Sequence, residues 1–200
     1  KAAAQLRVYL EAEIGHLYRT TCVRCGNPDA HVKYFLWVKT ARCDACGRDT
    51  DLFPNFLVAE NVRHPDNVFV CGHCGELFET VDRKNPCACP ACGNTLPLHH
   101  TAARNKATCK YCDKPVRYPS ESVPAHRLFA MECLCNNCTV KGTSKKGRLF
   151  KKPDADDMAR FEEATVRLAS LQPTFIPDDA IPKGDETERL HRWGYHHYRD

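Results

Sequence analysis

One four-residue pattern, Cys-x-x-Cys, recurs six times in this chain, as Cys22/Cys25, Cys43/Cys46, Cys71/Cys74, Cys89/Cys92, Cys109/Cys112 and Cys135/Cys138. All 14 cysteines lie between Cys22 and Cys138. A Cys-x-x-Cys turn sets two sulfurs on one side of an ion, so two such turns supply the four ligands of a tetrahedral zinc site. Taken in sequence order, the six pairs predict three sites. Cys22/Cys25 goes with Cys43/Cys46, Cys71/Cys74 with Cys89/Cys92, and Cys109/Cys112 with Cys135/Cys138. Four pairs are followed by Gly26, Gly47, Gly75 and Gly93. A tight turn under a metal needs positive φ at that position, and glycine adopts it at little cost. Asp113 and Thr139 stand there in the last set.

Other uses of paired cysteines stay open at this stage. A disulfide framework suits a secreted chain, and no signal peptide is seen. Four cysteines also hold iron–sulfur clusters, although the regular pairing favours zinc. A thioredoxin-like site needs one such motif, not six. Cys87 and Cys133 are left over, each two residues before a pair. They read either as free thiols or as ligands able to swap in. His73 sits between two ligands at the tip of its turn and reads as solvent-exposed and not itself a ligand; His99 and His100 precede the fifth pair and could ligate metal, but the cysteines suffice without them.

The expected fold is a small, metal-dominated α+β structure. Three tandem zinc-ribbon units with short antiparallel strands are flanked by one N-terminal and two C-terminal helices. Residues 1–18 read as a helix with a stripe of Leu6, Leu10, Ile14 and Leu17, packed on a parent domain. Ribbon one spans 19–62, with strand signal over His31–Val38 and a second apolar run over Leu52–Ala59. Tyr34, Phe35 and Trp37 either fill its core or stack on bases. Ribbon two spans 63–98 with a strand at Asn67–Val70, and ribbon three spans 99–152 with a strand at Leu128–Met131. Residues 153–200 make a helix capped at Asp154, a Pro-spaced connector and a helix from Glu186 to Arg199 capped by Asp185. The first of these helices carries Met158, Phe161, Thr165, Leu168 and Leu171 on one side.

Hydrophobic content is 42%, but that includes the cysteines, so the apolar core is thin for 200 residues. Metal is expected to supply much of the stability. Net charge is +4, mildly basic, which permits a nucleic-acid partner. Lys141, Lys145, Lys146, Arg148, Lys151 and Lys152 form a strip suited to phosphates, or else a solvated hairpin. No apolar run approaches the roughly 18 residues of a membrane span. Reduced thiols without a targeting segment point to the cytoplasm. Lys1 opens the chain in place of a methionine, which suggests a piece of a longer protein. No phosphate-binding glycine loop, nucleophile elbow or His-Glu-x-x-His helix occurs. A site closed by four thiolates leaves no position for substrate.

Several longer strings carry a resemblance. They are Glu13-Ile-Gly-His-Leu-Tyr18, Arg63-His-Pro-Asp66, Phe150-Lys-Lys-Pro-Asp-Ala-Asp-Asp157 and the whole run from Ile176-Pro-Asp-Asp-Ala to Tyr195-His-His-Tyr-Arg-Asp200. Together they resemble the cysteine-rich segment that interrupts the catalytic domain of large prokaryotic adenine-specific DNA methyltransferases. The resemblance implies a parent enzyme of DNA modification and phage defence that uses S-adenosylmethionine, bound outside these residues. It implies double-stranded DNA as partner and possible partner subunits of a defence system. Neither the cofactor motif nor Asp-Pro-Pro-Tyr is present, so no catalytic residue carries over. Relatives with an aromatic residue at the position of Cys133 favour Cys135/Cys138 as the ligand pair. The alternative is a non-enzymatic module that docks a protein partner or RNA.

Overall fold

The structure, a computed structural model, describes residues 1–62, 64–95, 101–103, 106–117, 125–141, 147–171 and 177–198. Strands are β1 (Arg19–Thr20), β2 (Ala30–Arg42), β3 (Asp49–Asp51), β4 (Leu57–Ala59), β5 (Asn67–Val70), β6 (Leu77–Thr80), β7 (Ala102–Ala103), β8 (Lys106–Thr108), β9 (Pro115–Val116), β10 (His126–Leu134) and β11 (Arg148–Lys151). Helices are α1 (Ala2–Ile14), α2 (Asn136–Lys141), α3 (Ala155–Leu171) and α4 (Glu188–Arg192), with a 3-10 turn at Gly15–Tyr18.

The long strand β2 organises the molecule. Its 13 residues reach about 40 Å at roughly 3.3 Å per residue. The run His31–Val38, rich in β-branched and aromatic residues, makes its first half. β2 lies antiparallel to β10, from His31 opposite Leu134 to Lys39 opposite His126. β1 pairs with the start of β2, β3 with its end, and β11 with β10. Two three-stranded sheets, β4-β5-β6 and β7-β8-β9, complete the strands among the described residues.

This pairing changes the expected organisation. β2 belongs to the first predicted ribbon and β10 to the third, yet they share one sheet. The segments 19–62 and 99–152 are therefore interwoven and not tandem modules. β5 pairs with β6 inside the middle segment, and β7, β8 and β9 pair with one another inside the third.

The core is correspondingly split into three clusters, each built around cysteines. One joins Val32, Leu128, Met131 and Leu149 to Cys22, Cys135 and Cys138. A second joins Ala41, Leu52, Ala107 and Val116 to Cys43 and Cys109. The largest packs Phe53, Phe56, Phe69, Phe78 and Phe129 against Cys71 and Cys89. Phe53 meets Phe129 edge-on at 5.0 Å.

α3 starts as its sequence suggests. The Asp154 and Asp157 side chains each accept the other's backbone N–H at 3.0 Å, a reciprocal cap of the first turn. Its packed face differs from the expected stripe. Phe161 rests on Trp37 at 5.1 Å, while Met158, Leu168 and Leu171 are exposed. α1 buries none of its residues, so Leu6 and Leu10 are uncovered here. The last helix is shorter than predicted. Thr187, not Asp185, stands at its N-cap, and Gly194 with φ of 83° follows its end. No helix among the described residues is long and apolar enough to cross a membrane.

Candidate metal centres

Five of the six Cys-x-x-Cys turns share one backbone form. The N–H of the first cysteine donates to the carbonyl five residues on: Cys22 to Asn27, Cys43 to Arg48, Cys71 to Glu76, Cys89 to Asn94 and Cys109 to Lys114. The first cysteine's carbonyl accepts from the residue four on. That residue is Gly26, Gly47, Gly75 or Gly93, with φ between 70° and 74°. The glycine expectation thus holds. Asp113 takes the same conformation at φ 57°, at a cost of roughly 1–2 kcal/mol for a residue with a Cβ.

The sixth turn is built differently. After Cys135 the chain enters α2, and the Cys135 N–H donates instead to Gly147, twelve residues on. Gly147 has φ 67°, and a Cβ there would collide with the Cys135 carbonyl and the Thr139 hydroxyl. At Gly26 a Cβ would meet open space. Gly26→Ala is therefore expected to cost about 1 kcal/mol from backbone strain alone. Gly147→Ala should cost about 2–3 kcal/mol, because overlap adds to strain. Denaturant midpoints of the two variants, with equal slopes, check the order.

The twelve paired cysteines form three groups of four, and within each group the sulfurs all lie within 4.8 Å of one another. The grouping is nested. Cys22/Cys25 faces Cys135/Cys138, Cys43/Cys46 faces Cys109/Cys112, and Cys71/Cys74 faces Cys89/Cys92. The sequential pairing is thereby corrected for the outer two sets and holds for the middle one. Strand register is the cause. Leu134 lies opposite His31, so the turn after β10 comes up against the turn before β2. At the far end of β2, Thr101 donates to the Asp51 carbonyl at 2.7 Å, and Ala102 to Phe53 at 3.1 Å. These bonds bring the fifth turn beside the second.

The groups fit a tetrahedral ion. Sulfurs of facing turns stand 3.5–3.7 Å apart. A tetrahedron with metal–sulfur bonds of about 2.3 Å has edges of about 3.8 Å. A disulfide would need about 2.05 Å, and every cysteine is unbridged. The donor set is four soft sulfurs in each case, compatible with three Zn2+ ions.

Charge is unevenly spread within each group. Burial and the neighbouring sulfurs push Cys22 up to about 12. Burial likewise leads in pushing up Cys74 to about 12. Cys112 rises to about 12 against the Lys114 N–H, through burial and its sulfur neighbours. Cys92 falls to about 6 through the Asn94 side chain and backbone N–H. Burial opposes Cys135 and Cys109, yet each falls to about 6 because donors surround it. Crowded thiolates repel, so the full set ionises only with a cation between them.

The donors that select these sulfurs escaped the sequence reading. Asn27 Nδ2 reaches Cys135 at 3.7 Å, Thr50 Oγ1 reaches Cys109 at 3.4 Å, and Asn94 Nδ2 reaches Cys92 at 3.4 Å. Such outer contacts orient ligands. A signal existed for two of them, since Cys-x-x-Cys-Gly-Asn occurs at both 22–27 and 89–94.

The remaining candidates separate. Cys133 is fully buried in the core, outside the sulfur groups, with its thiol pushed up to about 12 by burial. Cys87 is exposed and also outside them. His73 is exposed as expected; His99 and His100 lie outside the described residues. So do Lys145 and Lys146 of the basic strip, while Lys141 ends α2. Arg148 sits 3.6 Å from Glu132, and Lys152 sits 3.3 Å from Glu76. Lys151 points inward, 4% exposed, and its ammonium contacts Asp154, Asp157 and Thr20. It is a core ion and does not reach a phosphate.

No family model, curated protein or solved structure matches this chain.

Proposed function

We propose that this chain is a zinc-stapled scaffold, inserted in an S-adenosylmethionine-dependent adenine-N6 DNA methyltransferase, that steadies double-stranded DNA beside the catalytic domain. The observation that carries the scaffold part is the closed set of four sulfurs at each centre. It leaves no coordination position for water or substrate. The methyltransferase part rests on the resemblance carried by residues 13–18, 63–66, 150–157 and 176–200.

The DNA part draws support from the far end of β2 and not from the basic strip. Around the second centre Arg42, Arg48, Lys106, Lys114 and Arg117 are exposed, against Asp44, Asp49 and Asp113. Ala107 and Val116 face inward as a pair, which puts Lys106 and Arg117 on the outer face of the β8–β9 hairpin. Tyr111, also exposed, lies under the Arg48 guanidinium at 4.9 Å. Charges so placed suit a duplex backbone.

The test is duplex binding by the zinc-loaded chain across a salt series. Lys106→Glu, Lys114→Glu and Arg117→Glu are each expected to weaken binding and to flatten the salt slope by about 0.9 for every phosphate no longer neutralised. Zinc content should stay unchanged. Unaltered slopes in all three variants would remove the DNA role.

A second reading, a docking module for a partner subunit, is favoured by one observation. Leu6, Val8, Tyr9 and Leu10 of α1 are all exposed. Recovery of a protein partner that is lost on Leu6→Ser/Leu10→Ser, with no duplex binding, would decide for it.

A further inference from the structure

The three sulfur groups differ in how far solvent reaches them. In the first, Cys22, Cys135 and Cys138 are buried and Cys25 is half-buried. In the group of Cys71, Cys74, Cys89 and Cys92, two are buried, and Cys74 and Cys92 are half-buried. In the group of Cys43, Cys46, Cys109 and Cys112, Cys46 is exposed. It is the one exposed cysteine of the twelve that pair. Packing around this group is also the thinnest. Its buried apolar neighbours are Ala41, Ala102, Ala107, Leu52 and Val116, three of them alanines. The Cys71 group packs on five phenylalanines, and the Cys22 group on Val32, Leu128, Met131 and Leu149. Alanine buries little apolar surface, so the turns at this end shift at lower cost.

Facing sulfurs of this group are placed to bond to each other. Cys109 Sγ lies 3.6 Å from Cys46 Sγ, and Cys112 Sγ lies 3.7 Å from Cys43 Sγ. The Thr50 hydroxyl and the Tyr111 N–H, each 3.4 Å from Cys109 Sγ, hold that sulfur in place. A thiolate is both a metal ligand and a nucleophile, and exposure decides which thiolate a small oxidant meets.

We propose that Cys46 is an oxidation site, at which a peroxide turns this metal staple into a disulfide staple before it reaches the other two. The Cys46 sulfur attacks one peroxide oxygen; an S–O bond forms, the O–O bond breaks and hydroxide leaves. The Cys109 thiolate then attacks the Cys46 sulfur; an S–S bond forms, the S–O bond breaks and a second hydroxide leaves. Two electrons pass from the sulfurs to the peroxide, and two protons from solvent turn both hydroxides into water. The two sulfurs, now 3.6 Å apart, close to about 2.05 Å. Only Cys43 and Cys112 then remain to hold the ion, two of the four ligands that a structural zinc needs. The new bond still ties residues 43–46 to residues 109–112, so β7–β9 stays at the end of β2. This inference rests on the zinc part of the proposed function and not on the DNA part.

The test adds hydrogen peroxide stepwise to the reduced, zinc-loaded protein. A chromogenic chelator follows released zinc, and mass spectrometry after alkylation maps the disulfides. One zinc of the three is expected to leave first, in step with protection of Cys46 and Cys109 from alkylation. The cysteines of the other two groups should still alkylate at that point, and a dithiol with added zinc should restore the starting state. Cys46→His keeps a fourth ligand at the exposed position and should load three zincs but lose the early release. Cys25→His makes the same change at a half-buried position and should leave the early release unaltered. Cys87→Ser removes the other exposed thiol and should also leave it unaltered. Early release from either other group, departure of all three ions together, or a first disulfide without Cys46 would overturn the inference. So would early release that persists in Cys46→His, and the map of the parent decides even where that variant fails to load. Zinc content before peroxide tests the scaffold itself, so failure of that reading is told apart from failure here.

Discussion

Replacing Cys22 and Cys135 together by serine is expected to cost the protein one zinc ion, whereas replacing Cys22 and Cys43 together is expected to cost two. The first pair of changes falls in a single sulfur group and the second in two. Sequential pairing predicts the reverse, so metal content of the two double variants decides between the arrangements. Elemental analysis should return three zincs in the parent, two in the first variant and one in the second. The effect on folding should be large. A structural zinc contributes on the order of 10–16 kcal/mol at neutral pH, as much as the whole stability of a typical domain. Each centre also sits in its own cluster of buried side chains. A chelator is therefore expected to unfold the β2–β10 sheet along with the metal sites. A chelated protein that keeps its sheet signal would show that the apolar clusters suffice alone.

The second large effect is expected at Asp157. Its carboxylate is 2% exposed and lies 2.7 Å from the Lys151 ammonium, itself 4% exposed. Thr20, fully buried, accepts from Lys151 at 2.7 Å and donates to Asp157 at 2.6 Å. This network ties α3 to β1 and β11. Asp157→Ala leaves a buried ammonium with only the half-exposed Asp154 as counter-ion, at a cost of about 3–5 kcal/mol. Asp157→Leu combined with Lys151→Met should recover most of that loss, because no unpaired charge remains. Urea unfolding of the three proteins measures both. Equal stability of Asp157→Ala and the parent would show that Lys151 finds water instead.

The same network sets a pH dependence. Burial alone would depress Lys151, but hydrogen bonds to Asp154 and Asp157 outweigh it and raise its pKa. A raised lysine stabilises below its unfolded value near 10.5, and the gain is lost as pH rises through the folded value. Asp154 runs the other way. Burial opposes the shift, but Lys151 and the Asp157 N–H bring it down to about 2 from 3.8. Its contribution is present above about pH 4 and fades as pH falls toward 2.

Much of the centre chemistry was legible in the chain. Five of the six Cys-x-x-Cys pairs take one local turn, and Gly26, Gly47, Gly75 and Gly93 mark the positive φ beneath four of them, so the candidate ligands can be read locally. So can the cap at Asp154 and the strand at His31–Val38, because each depends on neighbours within a few residues. The apolar stripe of the first 18 residues was legible as a pattern, but in the structure Leu6 and Leu10 are exposed while Ile14 and Leu17 are half-buried. The basic strip was legible only as charge. Alternation along β11 turns Leu149 and Lys151 inward, and that depends on which face of the strand meets the core.

Pairing of the four outer turns belonged to the tertiary structure, while the middle two pair with their neighbour in sequence. Each turn is half a site of the same chemistry as the others, so nothing within it names its partner. The partner is chosen by the register of β2 against β10, strands separated by more than 80 residues. That register follows from which side chains of the two strands bury together, a property of the folded sheet and not of any cysteine.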